Sequence, residues 1–248
     1  MLTGKNLLMT LTGELSEMGL RAMASALEEM YHSPDFPDLD SLSAISRIVE
    51  PEYRQKMNKR LTNRLRSAHL LGCPQELASC VDSAQREYLP NGITQVLSSL
   101  DFIDNGLNVC VLGPSDSGKS YLAKALGIAA CSAHRVGYHH CEQLLEELVV
   151  LKGTDYTKYQ KRMKNTCGFD LLILDDFLLH TITDEREVKI LFEILEKRSE
   201  MKLSTFICSQ REPACWGSMI LNDEVSANAI LKRATKHYTV VIRPRSLL

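Results

Sequence analysis

The sequence has no run approaching the roughly 20 apolar residues that a membrane-spanning helix needs, so its 248 residues do not read as a membrane protein. The amino terminus has a short apolar stretch but meets Glu14 and Glu17 with no small-residue cleavage site, and it is not read as a signal peptide. No Cys-x-x-Cys pair occurs among the eight cysteines, scattered from Cys73 to Cys215. They read as reduced, mostly buried side chains of a cytoplasmic protein. His139, His140 and Cys141 are adjacent, but consecutive residues of a strand alternate faces and do not converge on one metal ion. Internal repeats and low-complexity tracts are also lacking. What remains, 44% hydrophobic and 24% charged residues, is the composition of a globular protein of one large domain or two modest ones.

The chain does carry a charge asymmetry behind its net formal charge of -2. Residues 1–50 hold three basic side chains against eight acidic ones. Residues 51–70 hold six basic ones (Arg54, Lys56, Lys59, Arg60, Arg64, Arg66) against Glu52 alone. A local basic block in a mildly acidic protein points to a polyanionic partner.

The first hundred residues read as helical, with no convincing strand. Residues 13–31 place Leu15, Met18, Ala22, Met23, Ala26, Leu27 and Met30 on one helical stripe, ended by Pro34 and Pro37. A second helix begins near Leu42, and Pro51 is placed to open a third. On that third helix Tyr53, Met57, Leu61, Leu65 and Ala68 form the core-facing seam, with the basic residues opposite or flanking it. From residue 108 short apolar runs (108–112, 135–139, 171–174, 205–208, 239–242) alternate with helical patterns (119–131, 141–151, 185–200, 224–235). This texture predicts an α/β domain with a five-stranded parallel sheet flanked by helices. The expected organisation is a small helical domain over residues 1–100 and a nucleotide-binding domain over 101–248.

Gly113-Pro114-Ser115-Asp116-Ser117-Gly118-Lys119-Ser120 is a complete G-x-x-x-x-G-K-S between an apolar strand and a helix that continues with Tyr121. Glycines let several backbone N–H groups curl around one anion, and the helix amino terminus adds partial positive charge there. Lys119 reaches terminal phosphates and the Ser120 hydroxyl is a magnesium ligand in such a loop. The second half of such a site is Leu171–Asp176, an apolar run that ends in two carboxylates. Asp175 is the expected magnesium residue and Asp176 the residue that orients or deprotonates the attacking water. The aspartate reaches about 1.5 Å less far than a glutamate there would, which favours slow hydrolysis. The strand 204–208 ends in Ser209-Gln210, either of which can sense the terminal phosphate. Arg233, at the end of a helix, is either an arginine finger for a neighbouring subunit or a favourable partner of its own helix dipole.

With these residues in hand, the sequence resembles the IstB family, ATP-binding helpers of insertion-sequence transposition related to helicase loaders of the DnaC type. The likeness runs through GLRAMASALEEM, YRQKMNKRLTNRLRSAHL, GPSDSGKS, LLILDDF, LFEILEKRSEMKLSTFICSQREPACW and AILKRATKHYTVVI. It implies an AAA+ ATPase, using ATP and Mg2+, that binds DNA, self-associates with ATP and DNA, and assists a partner transposase. By the same resemblance Ser209 falls at the polar switch position, Arg233 where the family has its arginine finger, and Arg198 on a family arginine. Three departures stand out, one of them the ending Arg243-Pro244-Arg245-Ser246-Leu247 in place of the family's Gly-x-Ser-Tyr-Arg. The family's Asp-Arg-Leu is Lys232-Arg233-Ala234, which removes a carboxylate that would fix the arginine. The glycine after the acidic-phenylalanine run is Leu178. No helical lid is expected after the last strand.

The basic helix then supplies duplex backbone contacts without base specificity. A helicase loader and an ATP-binding switch with little turnover are the alternatives. The loader would favour single strands and exposed aromatic residues for stacking, whereas the basic helix offers only Tyr53.

Overall fold

The computed structural model describes residues 4–220 and 224–245. The chain forms two compact units, residues 1–63 and 64–248. The division falls well before the expected boundary near residue 100, because residues 64–100 contribute a strand to the sheet of the second unit.

The first unit contains α1 (Gly4–Glu17), α2 (Arg21–Tyr31) and most of α3 (Ser41–Ser67). The stripe read as one helix over 13–31 is two. Gly19 takes φ +75, and the Leu20 N–H donates to Leu15 O at 2.8 Å, the bond that closes a helix with a left-handed glycine. Leu8, Ala24, Ala26 and Met30 are buried between these elements. Pro51 does not open a helix but lies inside α3. Its fixed φ is helical, and the cost is one missing donor. The expected seam on α3 also differs, since Tyr53 is 61% exposed whereas its neighbour Glu52 is buried. The Glu52 carboxylate accepts from the Ala22 and Met23 N–H groups at 2.9 and 3.3 Å, capping the start of α2 where a negative charge is favoured.

The second unit is built on a sheet of six strands: β1 (Arg86–Leu89), β2 (Val109–Leu112), β3 (Val136–His140), β4 (Leu171–Asp175), β5 (Ser204–Ser209) and β6 (Tyr238–Pro244). Their order is β1-β6-β2-β5-β4-β3. Five run parallel, as expected from the apolar runs. The sixth, β1, pairs antiparallel with β6. Arg-Glu-Tyr-Leu carries little apolar signal, and of its four residues Tyr88 alone is buried, which is why an edge strand of this kind is hard to see in the sequence. The helices are α4 (Ile93–Ser98), α5 (Asp101–Asp104), α6 (Lys119–Ala130), α7 (Cys141–Thr154), α8 (Tyr156–Cys167), α9 (Glu185–Glu200), α10 (Trp216–Met219) and α11 (Glu224–Ala234). Helix α8, not anticipated, is capped by Asp155, whose carboxylate accepts from Lys158 N, and buries Tyr159, Met163 and Cys167 at four-residue spacing. The eight cysteines are free thiols, six of them buried. No helix among the described residues is long and apolar enough to cross a membrane.

Arg198, near the end of α9, is fully buried. Its guanidinium donates to the carbonyls of Cys167, Phe169 and Ser204 and to the Thr205 hydroxyl. It therefore ties α9 to the ends of the segments that lead into β4 and β5, away from the loop that follows β2. Arg198→Ala should leave these carbonyls buried and unpaired, at about 3 kcal/mol. The check is urea unfolding: the midpoint should fall at constant slope, and an unchanged midpoint would remove Arg198 from the fold's supports.

Candidate nucleotide-binding site

The 113–120 loop leaves the carboxyl end of β2 and enters α6. Two positions demand glycine. Gly118, the cap residue of α6, has φ +103. A Cβ on Gly113 would come within 2.6 Å of Ile242 O and 2.7 Å of Ser117 Oγ. Asp116 also takes a left-handed conformation at φ +59, which aspartate tolerates. Pro114, Ser115 and Asp116 form the exposed crest, whereas Ser117 and Lys119 are buried and Ser120 half-buried. The Lys119 ammonium donates to Pro114 O at 2.7 Å. Burial lowers its pKa, while Cys208 and the carboxylates of Asp175, Asp176 and Asp116 oppose the shift. Tyr121 turns its hydroxyl to accept from the Glu76 N–H at 3.3 Å.

Strand β5 separates β2 from β4, with Leu112 level with Ser209 and Leu174 level with Ile207. The acidic pair therefore emerges at the same sheet edge as the loop. Asp175 is buried and accepts from the Tyr138 hydroxyl and from the Asp176 N–H at 3.0 Å. Burial first, then the bond to Asp175, raises the Tyr138 pKa far above its usual value. Asp176, at φ +53, sets its Oδ2 3.1 Å from His140 Nδ1. Tyr138 and His140 lie two apart on β3 and share a face, so a single strand holds both carboxylates. His139 points the other way, toward His69 and Phe169, and burial drops its pKa to about 4. Tyr138 was not singled out from the sequence, and His140 was weighed there only as a metal ligand. Their signal is the i, i+2 alternation, which needs the β3–β4 pairing to become legible.

The remaining predicted residues are not all brought to this edge. Ser209 is buried; its hydroxyl donates to Phe177 O at 2.8 Å and accepts from the Arg211 N–H. Its proton is therefore committed, and the half-buried Gln210 beside it is the other polar side chain at that strand end. Arg233 lies at the opposite end of the sheet from its own loop. Its carbonyl accepts from Asn108 Nδ2 just before β2. Its guanidinium stacks 4.8 Å from the Phe192 ring and pairs with Glu196 at 3.3 Å. Glu196 thus provides the carboxylate that Lys232 does not. Of the six basic residues, Arg54 and Lys56 pair with Glu50 and Glu52 one turn earlier. Arg64 donates to the carbonyls of Cys131 and Ser132 at 3.2 and 2.7 Å, so it serves the fold. Lys59, Arg60 and Arg66 are exposed.

Residues 13–245 match the IstB-like ATP binding protein family. The chain belongs to that family. A protein of Sinorhizobium fredii named as an insertion-sequence ATP-binding protein is 34% identical over 222 residues, which cover 88% of this chain and 86% of the relative. The ATP-binding protein named for insertion sequence IS232 of Bacillus thuringiensis subsp. berliner is 30% identical, covering 96% and 92%. Among solved structures, domain III of the Thermotoga maritima replication initiation protein DnaA aligns with TM-score 0.56 at 18% identity, covering 71% of this chain and 70% of that one. The DnaC helicase loader aligns with TM-score 0.50 at 19% identity, covering 68% and 97%. The fold of this IstB-like chain is accordingly the AAA+ fold, with six strands where the sequence suggests five.

Gly113→Ala should destabilise the second unit by about 2 kcal/mol, because the added carbon meets main chain that has no room to yield. Thermal unfolding measures this, and an unshifted transition would refute the close approach of β6 to the loop.

Proposed function

We propose that this IstB-like protein binds ATP with magnesium at the 113–120 loop, hydrolyses it slowly, and assembles on duplex DNA to assist the transposase of its element, acting in the cytoplasm. The observation that carries the reading is the meeting of a complete phosphate loop with two carboxylates at one sheet edge. The loop suits a polyphosphate. Among the described residues Ser117 Oγ is buried there without a hydrogen-bond partner, Lys119 donates to a carbonyl, and the amide groups at the start of α6 present positive charge. Ser120 and Asp175 are the oxygen donors that a hard cation such as magnesium takes. Bound magnesium-ATP supplies the phosphoryl group whose transfer to water resets the assembly.

The protein's own groups have separate parts in this scheme. Lys119 offsets phosphate charge. Asp175, fixed by Tyr138, holds the metal side, and Asp176, fixed by His140, accepts the proton of the attacking water. Gln210, rather than the committed Ser209, is the polar side chain suited to report the phosphate. Arg233 serves a neighbouring subunit's nucleotide, with Glu196 and Phe192 aiming it. Lys59 and Arg60, together with Lys56, give α3 its DNA-facing charge. The loader alternative shares the ATPase core, and the relatives' insertion-sequence names favour the transposition reading.

Light scattering with magnesium-ATP and a long random duplex tests the scheme. Wild type should form large particles only with both ligands. Lys119→Ala should stay small at an unchanged melting temperature, and normal assembly by that variant would sink the nucleotide-switch model. Reversing charge at Lys56, Lys59 and Arg60 should cut DNA affinity about tenfold or more across sequences and flatten its salt dependence by about three ions. Undiminished binding would move the DNA surface elsewhere.

A further inference from the structure

Arg86, on β1, is absent from the reading of the site given by motif and family, yet its guanidinium lies flush against the phosphate loop. A Cβ built on Gly118 would sit 2.2 Å from Arg86 Nη1. Gly118 is called for by its φ of +103, and the arginine packs on its bare face. Along β1 the side chains alternate. Glu87 faces one way and pairs with Arg245, whereas Arg86 and the buried Tyr88 share the other face, with the guanidinium beside the Tyr88 hydroxyl.

The electrostatics set this arginine apart. Among the described residues no carboxylate lies within ion-pair distance of Arg86. Lys119, the other cation at this spot, forms no ion pair either and donates to a carbonyl. Both stand at the amino terminus of α6, a helix of 12 residues, whose end is itself partially positive. Three like-signed groups thus converge with no ion-paired carboxylate among the described residues, Asp175, Asp176 and Asp116 acting on Lys119 at longer range, and a polyanion that joins them is favoured.

We propose that Arg86 is a further nucleotide-binding residue, a guanidinium supplied by the same subunit that bonds the polyphosphate held on the Gly118 side of the loop. The inference rests on the nucleotide reading above and assigns a residue to it. Its planar fork suits phosphate oxygens in a way that a lysine reproduces only as a point charge.

The test is direct binding of fluorescent ATP and ADP analogues, with thermal melting, for wild type, Lys119→Ala, Arg86→Ala, Arg86→Gln and Arg86→Lys. Removing a charge-assisted bond should weaken both nucleotides about tenfold or more in the Ala and Gln variants, with Lys recovering part of the loss. The ligand-free melting temperature of Arg86→Ala should hold or rise, because repulsion is relieved, while the nucleotide-induced rise shrinks. Unchanged affinity in Arg86→Ala, with wild type binding and Lys119→Ala not, overturns the assignment alone. A lower ligand-free melting temperature with wild-type affinity makes Arg86 a packing residue and also overturns it. If wild type binds neither nucleotide, the reading of the loop fails and this assignment with it.

Discussion

The site depends on one strand pairing with two neighbours at once. β5 runs parallel to both β2 and β4, and the two registers end two residues apart on it, at Ser209 and Ile207. The phosphate loop and the acidic pair therefore leave the sheet at the same edge. A slip of one residue in either ladder would turn every side chain of the strand to the other face, sending Asp175 out of the site and an apolar residue into it. Burial on both faces makes such a slip costly, since Val109, Cys110, Val111, Leu171, Leu172, Ile173, Phe206 and Ile207 are all fully enclosed. At the opposite end, Arg198 and Asn108 bond main-chain groups of the segments that enter β4 and β5. The ladder is held from below by polar contacts and from within by apolar packing.

That same geometry separates the two kinds of arginine. Arg86 reaches its own loop from the edge of the sheet. Arg233 hangs from Asn108, at the start of a strand whose four residues span roughly 13 Å at the usual rise. It cannot serve the loop at the far end of the same strand without unfolding its helix end. If it meets phosphate, that phosphate belongs to another copy, so completing the site and assembling the protein become one event.

Much of this was legible in the sequence, for identifiable reasons. The loop, the apolar strands and the acidic pair are local patterns, and buried parallel strands advertise themselves by composition. The six basic residues of 51–70 were also visible, but which of them serves the fold was not: Arg64 turns to the carbonyls of Cys131 and Ser132, some 67 positions away in the chain. The same holds for Tyr138 and His140, which gain their roles from β4, and for Glu196, which replaces the carboxylate missing beside Arg233. β1 escaped because an edge strand needs only one buried residue. The break at Gly19 escaped because the apolar spacing runs unbroken across it, and only the left-handed glycine divides it.

The segment after the acidic pair shows how an unfavourable backbone is kept. Asp176 and Leu178 both adopt positive φ, at +53 and +52. Aspartate bears this conformation at little cost, but leucine loses about 1 kcal/mol or more. Leu178 is nevertheless buried, and a buried leucine side chain returns about 2 kcal/mol through apolar transfer. The Phe177 N–H donates to Cys208 O at 2.8 Å, pinning the turn to β5. The strain is thus outweighed by packing, and the exit from β4 is fixed rather than loose. That fixed exit compensates in part for the short side chain of Asp176, because His140 and the turn, rather than a longer reach, set where its carboxylate stands.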